Sequence, residues 1–384
     1  MSDKLKVAVL FGGRSGEHEV SLISARSVMA ALDPSKYEII PVGITRKGAW
    51  IVGADPMDAL QREDLADTRP ATIFGDPSRS GLWAHEGPAG DAAQSAQPAE
   101  CWKLLSRVDV VFPVLHGTFG EDGTLQGLLD LAGVPYVGAG VLCSAAAMDK
   151  IVFKAVCAAH DLPITPYFWT TRKRWLAEPD VVLDEIEGQL RYPVFTKPAN
   201  LGSSVGITKC HHRAGLRRGM DEAARYDRRI LVEAAVPTAR EIEVSVLGNE
   251  EPGASIPGEI IPSREFYDYA AKYLDEGEHA STLLIPAPLD EAMTRYVQDL
   301  AVQSYRAIDG AGMARVDFLL SRDTGELYLN EINTIPGFTS ISMYPKLWEA
   351  SGLPYSRLLD WLIDLALDRH AETVRSERIF RSKG

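Results

Sequence analysis

The chain has 384 residues, 46% of them hydrophobic and 24% charged. Those are ordinary globular proportions, which exclude fibrous and disordered classes, and the length implies two or three domains. The formal net charge is −13 with a pI near 5.2; so acidic a surface repels phosphate backbones and anionic lipid, which argues against nucleic-acid and membrane partners but not against a small anion held by a few lysines.

The run Lys6–Gly13, KVAVLFGG, reads as a buried strand ending in a glycine turn. Val20–Leu32 has helical periodicity, and Tyr37–Ile44 is a second strand. Val108–Leu115 is another buried strand, followed by the loop HGTFGEDG, a helix in TLQGLLDLAG, a short strand PYVG and a helix over roughly Leu142–His160. This β-α-β order predicts an α/β first domain, residues 1–150, with a doubly wound parallel sheet. Residues 53–100 lose the pattern and are rich in Pro, Gly, Ala, Asp and Ser. They are read as an insertion, its second half an exposed or mobile loop.

A second block, 151–236, opens with strands in YPVFTKP and SSVGITK, then a helix over Ala214–Arg225 and a strand in ILVEAAV. A third, 237–384, has strands REIEVSVLG and EIIPS, a polar loop and a helix over Asp290–Ile308. Strands MARVDFLL and GELYLNEIN follow, then helices near Tyr344–Ala350 and Tyr355–Asp368.

The opening apolar run is too short for a signal-peptide core, and no stretch approaches the ~18 apolar residues of a membrane span. The four cysteines, Cys101, Cys143, Cys157 and Cys210, form no CxxC pair. Reduced thiols in a soluble cytoplasmic protein are expected.

Several stretches carry chemistry. In MARVDFLLSRDTGELYLNEIN, a three-residue loop Asp323-Thr324-Gly325 would pair Arg322 with Glu326. Counting back sets Asp317 opposite Glu331 and Arg315 opposite Asn333, all on one face. Opposed carboxylates have Cβ atoms roughly 5 Å apart and repel. Either a divalent cation on carboxylate and amide oxygens compensates, or the four side chains form a solvated surface network. KPANLGSSVGITK sends Lys197 off a strand into a Gly-Ser-Ser loop, where Ser203, Ser204 and freed N–H groups could wrap phosphate, or where a plain hairpin tip could sit. It is not a P-loop, since GxxxxGK[ST] and the following helix are missing. Glu233 ends a strand where it could accept hydrogen bonds from an amine or ribose; Glu241, Glu243 and Ser245 share a face that could simply be solvated. FYDYAAKYL, with Lys272 and Tyr273, is either a lid or a surface turn. In FGGRSGEHEVS, Glu17 sits where pyrophosphate would lie in a dinucleotide fold, which speaks against a nicotinamide-dependent oxidoreductase and suits an ammonium group. His116 lies near the same sheet edge and by itself reads as structural.

Taken together, LFGGRSGEHEVSL, LHGTFGEDGTLQG, MDK, KPANLGSSVG, VEAAVPTAREIEV, FYDYAAKY, ARVDFLL and NEINTIPGFTSISM resemble, in order, the D-alanine–D-alanine ligase family of the ATP-grasp superfamily. The resemblance implies an ATP-grasp fold whose two C-terminal α+β lobes clasp ATP. It implies ligation of two D-alanines through a D-alanyl phosphate, with ADP and phosphate released, for peptidoglycan precursors. Lys150, Lys197 and Lys272 would contact ATP phosphates under the loop carrying Ser203 and Ser204, with Glu233 and Glu241 on the adenine and ribose side. Asp317, Glu331 and Asn333 would hold two Mg²⁺ or Mn²⁺ ions. Glu17 would take the first ammonium, in a triad with Ser203 and Tyr273, and His116 would line that substrate. Arg315 and the backbone at Gly337 would face the oxyanion. Ser342 and Met343, the latter more often Leu in the family, would bind the second carboxylate. A cytoplasmic homodimer is also implied. The FYDYAAKY lid favours this over a D-alanine–D-lactate ligase, and the intact Arg315, Asp317, Glu331 and Asn333 over a non-catalytic ATP-binding protein.

Overall fold

The computed structural model describes residues 4–86, 102–262, 282–339 and 341–377. The chain opens with β1 (Leu5–Gly12), α1 (His18–Ala31) and β2 (Tyr37–Ile44). It continues through β3 (Trp50–Gly53), α2 (Pro56–Arg62), β4 (Thr68–Ile73), β5 (Leu82–His85), β6 (Trp102–Ser106) and β7 (Val110–Val114). These strands make one sheet in the order β6-β5-β4-β3-β2-β1-β7. Strand β1 is parallel to β2 and β7, whereas β3 to β6 extend the sheet antiparallel.

The expected insertion is thereby corrected: residues 53–86 hold a helix and two strands of the first sheet. Its later part, 87–101, lies outside the described residues. Strands of four to six residues containing Pro70 and Arg69 give too few alternations to register as a pattern. The PYVG segment is only an isolated parallel bridge, Val111 to Tyr136.

Strand β1 is buried on both faces, as a central parallel strand should be. Val7, Val9 and Phe11 join a core with Leu22, Ala25 and Val28 of α1. Ala8 and Leu10 face the opposite core, with Leu125 and Leu129 of α3 (Thr124–Ala132). The expected single helix over 142–160 is two, α4 (Val141–Met148) and α5 (Lys150–Ala159). Asp149 between them is extended, and its carboxylate accepts the N–H groups of Ile151 and Val152 as an N-cap.

The second sheet contains β8 (Tyr167–Thr171), β9 (Val194–Pro198), β10 (Thr208–Cys210) and β11 (Arg229–Ala234) in the antiparallel order β10-β9-β11-β8. Helices α6 (Arg172–Ala177), α7 (Pro179–Gln189) and α8 (Arg213–Tyr226) accompany it. Val194, Ile230 and Val232 face α7 and α8. Period two then sends Lys197 and Glu233 to the other face.

The third sheet holds β12 (Ala239–Leu247), β13 (Gly253–Ala254), β14 (Gly258–Ile261) and β15 (Thr282–Leu284), then, after α9 (Glu291–Ala307), β16 (Met313–Ser321) and β17 (Leu327–Asn333). Its order is β15-β14-β12-β16-β17, with β13 on β12. Ile242, Val244, Val316, Phe318 and Ile332 pack against α5 and α9. Helices α10 (Met343–Ala350) and α11 (Tyr355–Val374) follow. Leu358, Leu359 and Leu362 of α11 return to the core under β1 and β7, tying the end of the chain to its first sheet.

Candidate active site

The hairpin register is as counted: Asp317 pairs with Glu331 and Arg315 with Asn333. The route to it differs. Ser321, not Arg322, closes on Glu326, so the loop has one residue more than expected. A bulge between Asp317 and Phe318 then restores the offset. The two departures cancel. Bulges of this kind re-aim side chains beside functional sites.

Strand β12 adds what the hairpin alone could not show. Glu243 pairs with Asp317, so Glu243, Asp317 and Glu331 form one row across three strands. Ser245, Arg315 and Asn333 form the next row. Arg315 donates from Nε and Nη2 to both oxygens of Asp317 at 2.7 Å, and its Nε lies 2.9 Å from Glu243. Asn333 Nδ2 donates to Asp317 at 2.9 Å. Asp317 and Glu243 thus share one guanidinium whose charge Glu331 also feels, an excess of negative charge that a hard divalent cation on oxygen ligands would offset. Carboxylate and amide oxygens are the donor type such a cation takes, and as placed both Asp317 oxygens are engaged by Arg315.

Facing this sheet, Lys197 forms an ion pair with Glu233. Burial pushes the Lys197 ammonium down, but Glu233, Glu331 and Glu241 together raise it. It therefore feels both sheets of the cleft. Burial likewise pushes the Glu233 carboxyl up, yet Lys154 and Lys197 outweigh it and hold it at about 2.

The loop after β9 bends over the cleft. Ser203 and Ser204 adopt left-handed backbone at φ 52° and 59°. Such strain persists where surroundings hold it, and here Ser203 Oγ donates to Glu17 Oε1. Lys150 Nζ donates to Leu201 O at 2.7 Å, bracing the loop from α5.

Glu17 is buried at the N-cap of α1, beside the 116–121 loop that follows β7. Strand β1 lies between β2 and β7, the crevice where doubly wound sheets place ligands. His116 is buried, and burial pushes its imidazole down to the neutral form. Its Nδ1 lies 2.9 Å from Ile335 O and its Nε2 3.2 Å from Ser24 Oγ. A carbonyl only accepts, so Nδ1 carries the proton and Nε2 accepts from Ser24. Both ring nitrogens are engaged. Glu121 accepts from Gly117 N–H at 2.6 Å and Ile335 N–H at 2.9 Å. Burial and the like charge of Glu17 push its carboxyl up to about 8.

Past β17, a side chain at Gly337 would meet Ser342 Oγ at 2.9 Å. Ser342 Oγ in turn accepts from Thr339 N–H at 3.1 Å, and Ser342 stands at the N-cap of α10 without a side-chain capping bond. Met343 is buried, its side chain packed with Ile260 and Leu347. Lys272 and Tyr273, with the FYDYAAKYL stretch, lie outside the described residues. Glu121 and Lys154 escaped singling out in the sequence, and Glu243 was named only as part of a face that could simply be solvated. Lys154 had a signal, lying one helical turn beyond Lys150; Glu243 needed the β12–β16 pairing.

Two family models match, described as D-ala D-ala ligase N-terminus over residues 6–139 and D-ala D-ala ligase C-terminus over 156–364. The chain belongs to the D-alanine–D-alanine ligase family. A relative named D-alanine–D-alanine ligase from Heliobacterium modesticaldum is 51% identical over 97% of both chains. One of the same name from Thermoanaerobacter sp. is 52% identical over 97% of this chain and 99% of its own. Among solved structures, the D-alanine-D-alanine ligase of Coxiella burnetii superposes with a TM-score of 0.80 at 38% identity, covering 97% of each. The VanG D-Ala:D-Ser ligase of Enterococcus faecalis gives 0.81 at 35%, covering 95% of this chain and 100% of that one. The mixed α/β architecture is that of the ATP-grasp ligases.

Proposed function

We propose that the chain joins two D-alanines at the expense of ATP, giving D-alanyl-D-alanine, ADP and phosphate for peptidoglycan precursors. The observation that carries this reading is the cleft itself. The acidic row Glu243-Asp317-Glu331 faces Lys197, and the phosphate-type loop is tied by Ser203 to Glu17.

A carboxylate is a poor electrophile, because oxide is a poor leaving group. Glu17 takes the ammonium of the first D-alanine and aims its carboxylate into the cleft. One oxygen of that carboxylate accepts the γ-phosphoryl group, and ADP departs. Lys150 and Lys197 neutralise the phosphates, with Glu233 and Glu241 on the nucleoside side; positioning and charge dominate phosphoryl transfer. Asp317, Glu331 and Asn333, with Glu243 beside them, would hold two Mg²⁺ or Mn²⁺ ions, which supply charge neutralisation when bound. Ser342 Oγ and the Met343 N–H, at the start of α10, hold the second D-alanine by its carboxylate. Its amine attacks the acyl carbon, and the tetrahedral oxyanion meets Arg315 and the Gly337 N–H. Phosphate then leaves as the C–O bond breaks. Lys272 and Tyr273 would complete the closure that keeps water from the acyl phosphate. Because the Met343 side chain is buried among Ile260 and Leu347, its difference from Leu has little consequence for a contact made by the backbone. The same reading makes the chain a cytoplasmic homodimer.

ADP release tests this with D-alanine alone, with L-alanine, and with D-alanine plus D-lactate or D-serine near neutral pH. D-alanine alone should sustain turnover and L-alanine should not. Preferential formation of the D-lactate or D-serine product would overturn the choice of second substrate.

A further inference from the structure

The buried cation Lys154 has no role in the mechanism above. It lies on α5, one turn beyond Lys150, and only 2% of it is exposed. Its Nζ is 2.9 Å from Glu233 Oε2 and donates to Thr165 Oγ1 at 2.9 Å. Thr165, itself buried, passes its own proton towards the same Glu233 oxygen at 3.3 Å. The ring of Tyr167 flanks the ammonium at 5.6 Å. Lys197 pairs with the other oxygen, Oε1. One buried carboxylate therefore serves two lysines, on opposite oxygens, and the two differ in exposure. The Lys154 side chain is 3% exposed and Lys197, which faces the cleft, 12%.

We propose that Lys154 is a positioning residue for nucleotide: by serving as the permanent counter-ion of Glu233 it frees Lys197 to exchange that carboxylate for a phosphate. This rests on the assignment of Lys197 to the nucleotide phosphates. Without Lys154, moving Lys197 would strand a buried, unpaired carboxylate, and losing one partner of a buried pair is strongly unfavourable. Lys197 would then stay on Glu233, and the nucleotide would lose its contact. The nucleotide-free protein would barely notice, because Glu233 keeps one cation and a methionine fills the lysine's volume. Thr165 supports the arrangement by fixing the angle at which Lys154 meets Glu233.

Lys154→Met and Thr165→Val test the proposal by thermal unfolding with and without ADP and Mg²⁺, and by KM for ATP and for D-alanine. Lys154→Met should keep its melting temperature without nucleotide, lose most of the ADP-induced rise, and raise the KM for ATP by about tenfold or more. The KM for D-alanine should stay within about twofold. Thr165→Val should show the same split at smaller size, and it decides the matter should Lys154→Met not fold. A melting temperature lowered equally with and without ADP, or equal increases in both KM values, would make Lys154 merely structural and overturn the proposal. The unmodified protein separates the two claims. If ADP stabilises it but D-alanine is not turned over, the substrate assignment falls and the Lys154 role stands. If ADP has no effect on it, both fall.

Discussion

Glu331 is the residue on which the metal assignment turns. Exchanging it for glutamine keeps shape and removes one charge from a row of three carboxylates around one guanidinium. Glu331→Gln should abolish ADP formation, while the nucleotide-free melting temperature stays nearly unchanged. Full activity in that variant would refute the metal role. Glu233 is different, because both its partners depend on it. Glu233→Gln leaves two buried ammonium groups without their carboxylate and should destabilise the fold by roughly 3–5 kcal/mol at neutral pH. The sign with pH follows from its carboxyl being held near 2, below the ordinary 4.5. The stabilisation is complete above the ordinary value and is lost as pH falls towards 2. Urea denaturation should show the gap between wild type and Glu233→Gln narrowing over that window. A gap that stays constant down to pH 2 would contradict the pairing.

At the scale of elements, the loop after β9 and the β16–β17 hairpin show what local sequence decides. Gly206 lies at φ 73°, and an added Cβ would meet the Tyr226 ring at 2.7 Å and Pro198 at 2.9 Å. Gly206→Ala should cost roughly 1–2 kcal/mol from the left-handed backbone alone, with the clash in addition. Nucleotide affinity should fall too, since the loop must shift; unaltered ADP binding would detach the loop from the phosphates. In the hairpin, period-two alternation and the expected turn set Asp317 against Glu331 only because the longer loop and the bulge offset each other. The longer loop and the bulge were invisible, because each shifts register by one and only the partner strand reveals it. Asp149 was legible in principle as a cap residue before an apolar run, yet strong periodicity on both sides concealed the break. Residues 53–86 stayed hidden for the opposite reason, being strands too short to alternate.

At the scale of the whole molecule, the site is assembled from pieces far apart in the chain. Glu17 stands at the start of α1 beside the first sheet, Lys197 in the second with Ser203 on the loop after β9, and Asp317 and Glu331 in the third. The parallel opening and the strands β9 and β11 were readable from pattern, whereas β8, α6 and α7 were not named. The meeting of Glu243 with Asp317 and of Lys154 with Glu233 was not, since pairings over such sequence separation follow from packing rather than local periodicity. The α11 core beneath β1 holds the first sheet against the third, and this fixes Glu121 and His116 on the Ile335 turn. The central claim is that the first D-alanine's carboxylate is activated as an acyl phosphate in this cleft. Its most direct test uses D-alanine labelled with ¹⁸O in the carboxylate, with the released phosphate analysed by mass. The account predicts one labelled oxygen in each phosphate formed. Unlabelled phosphate accompanying dipeptide formation would contradict it.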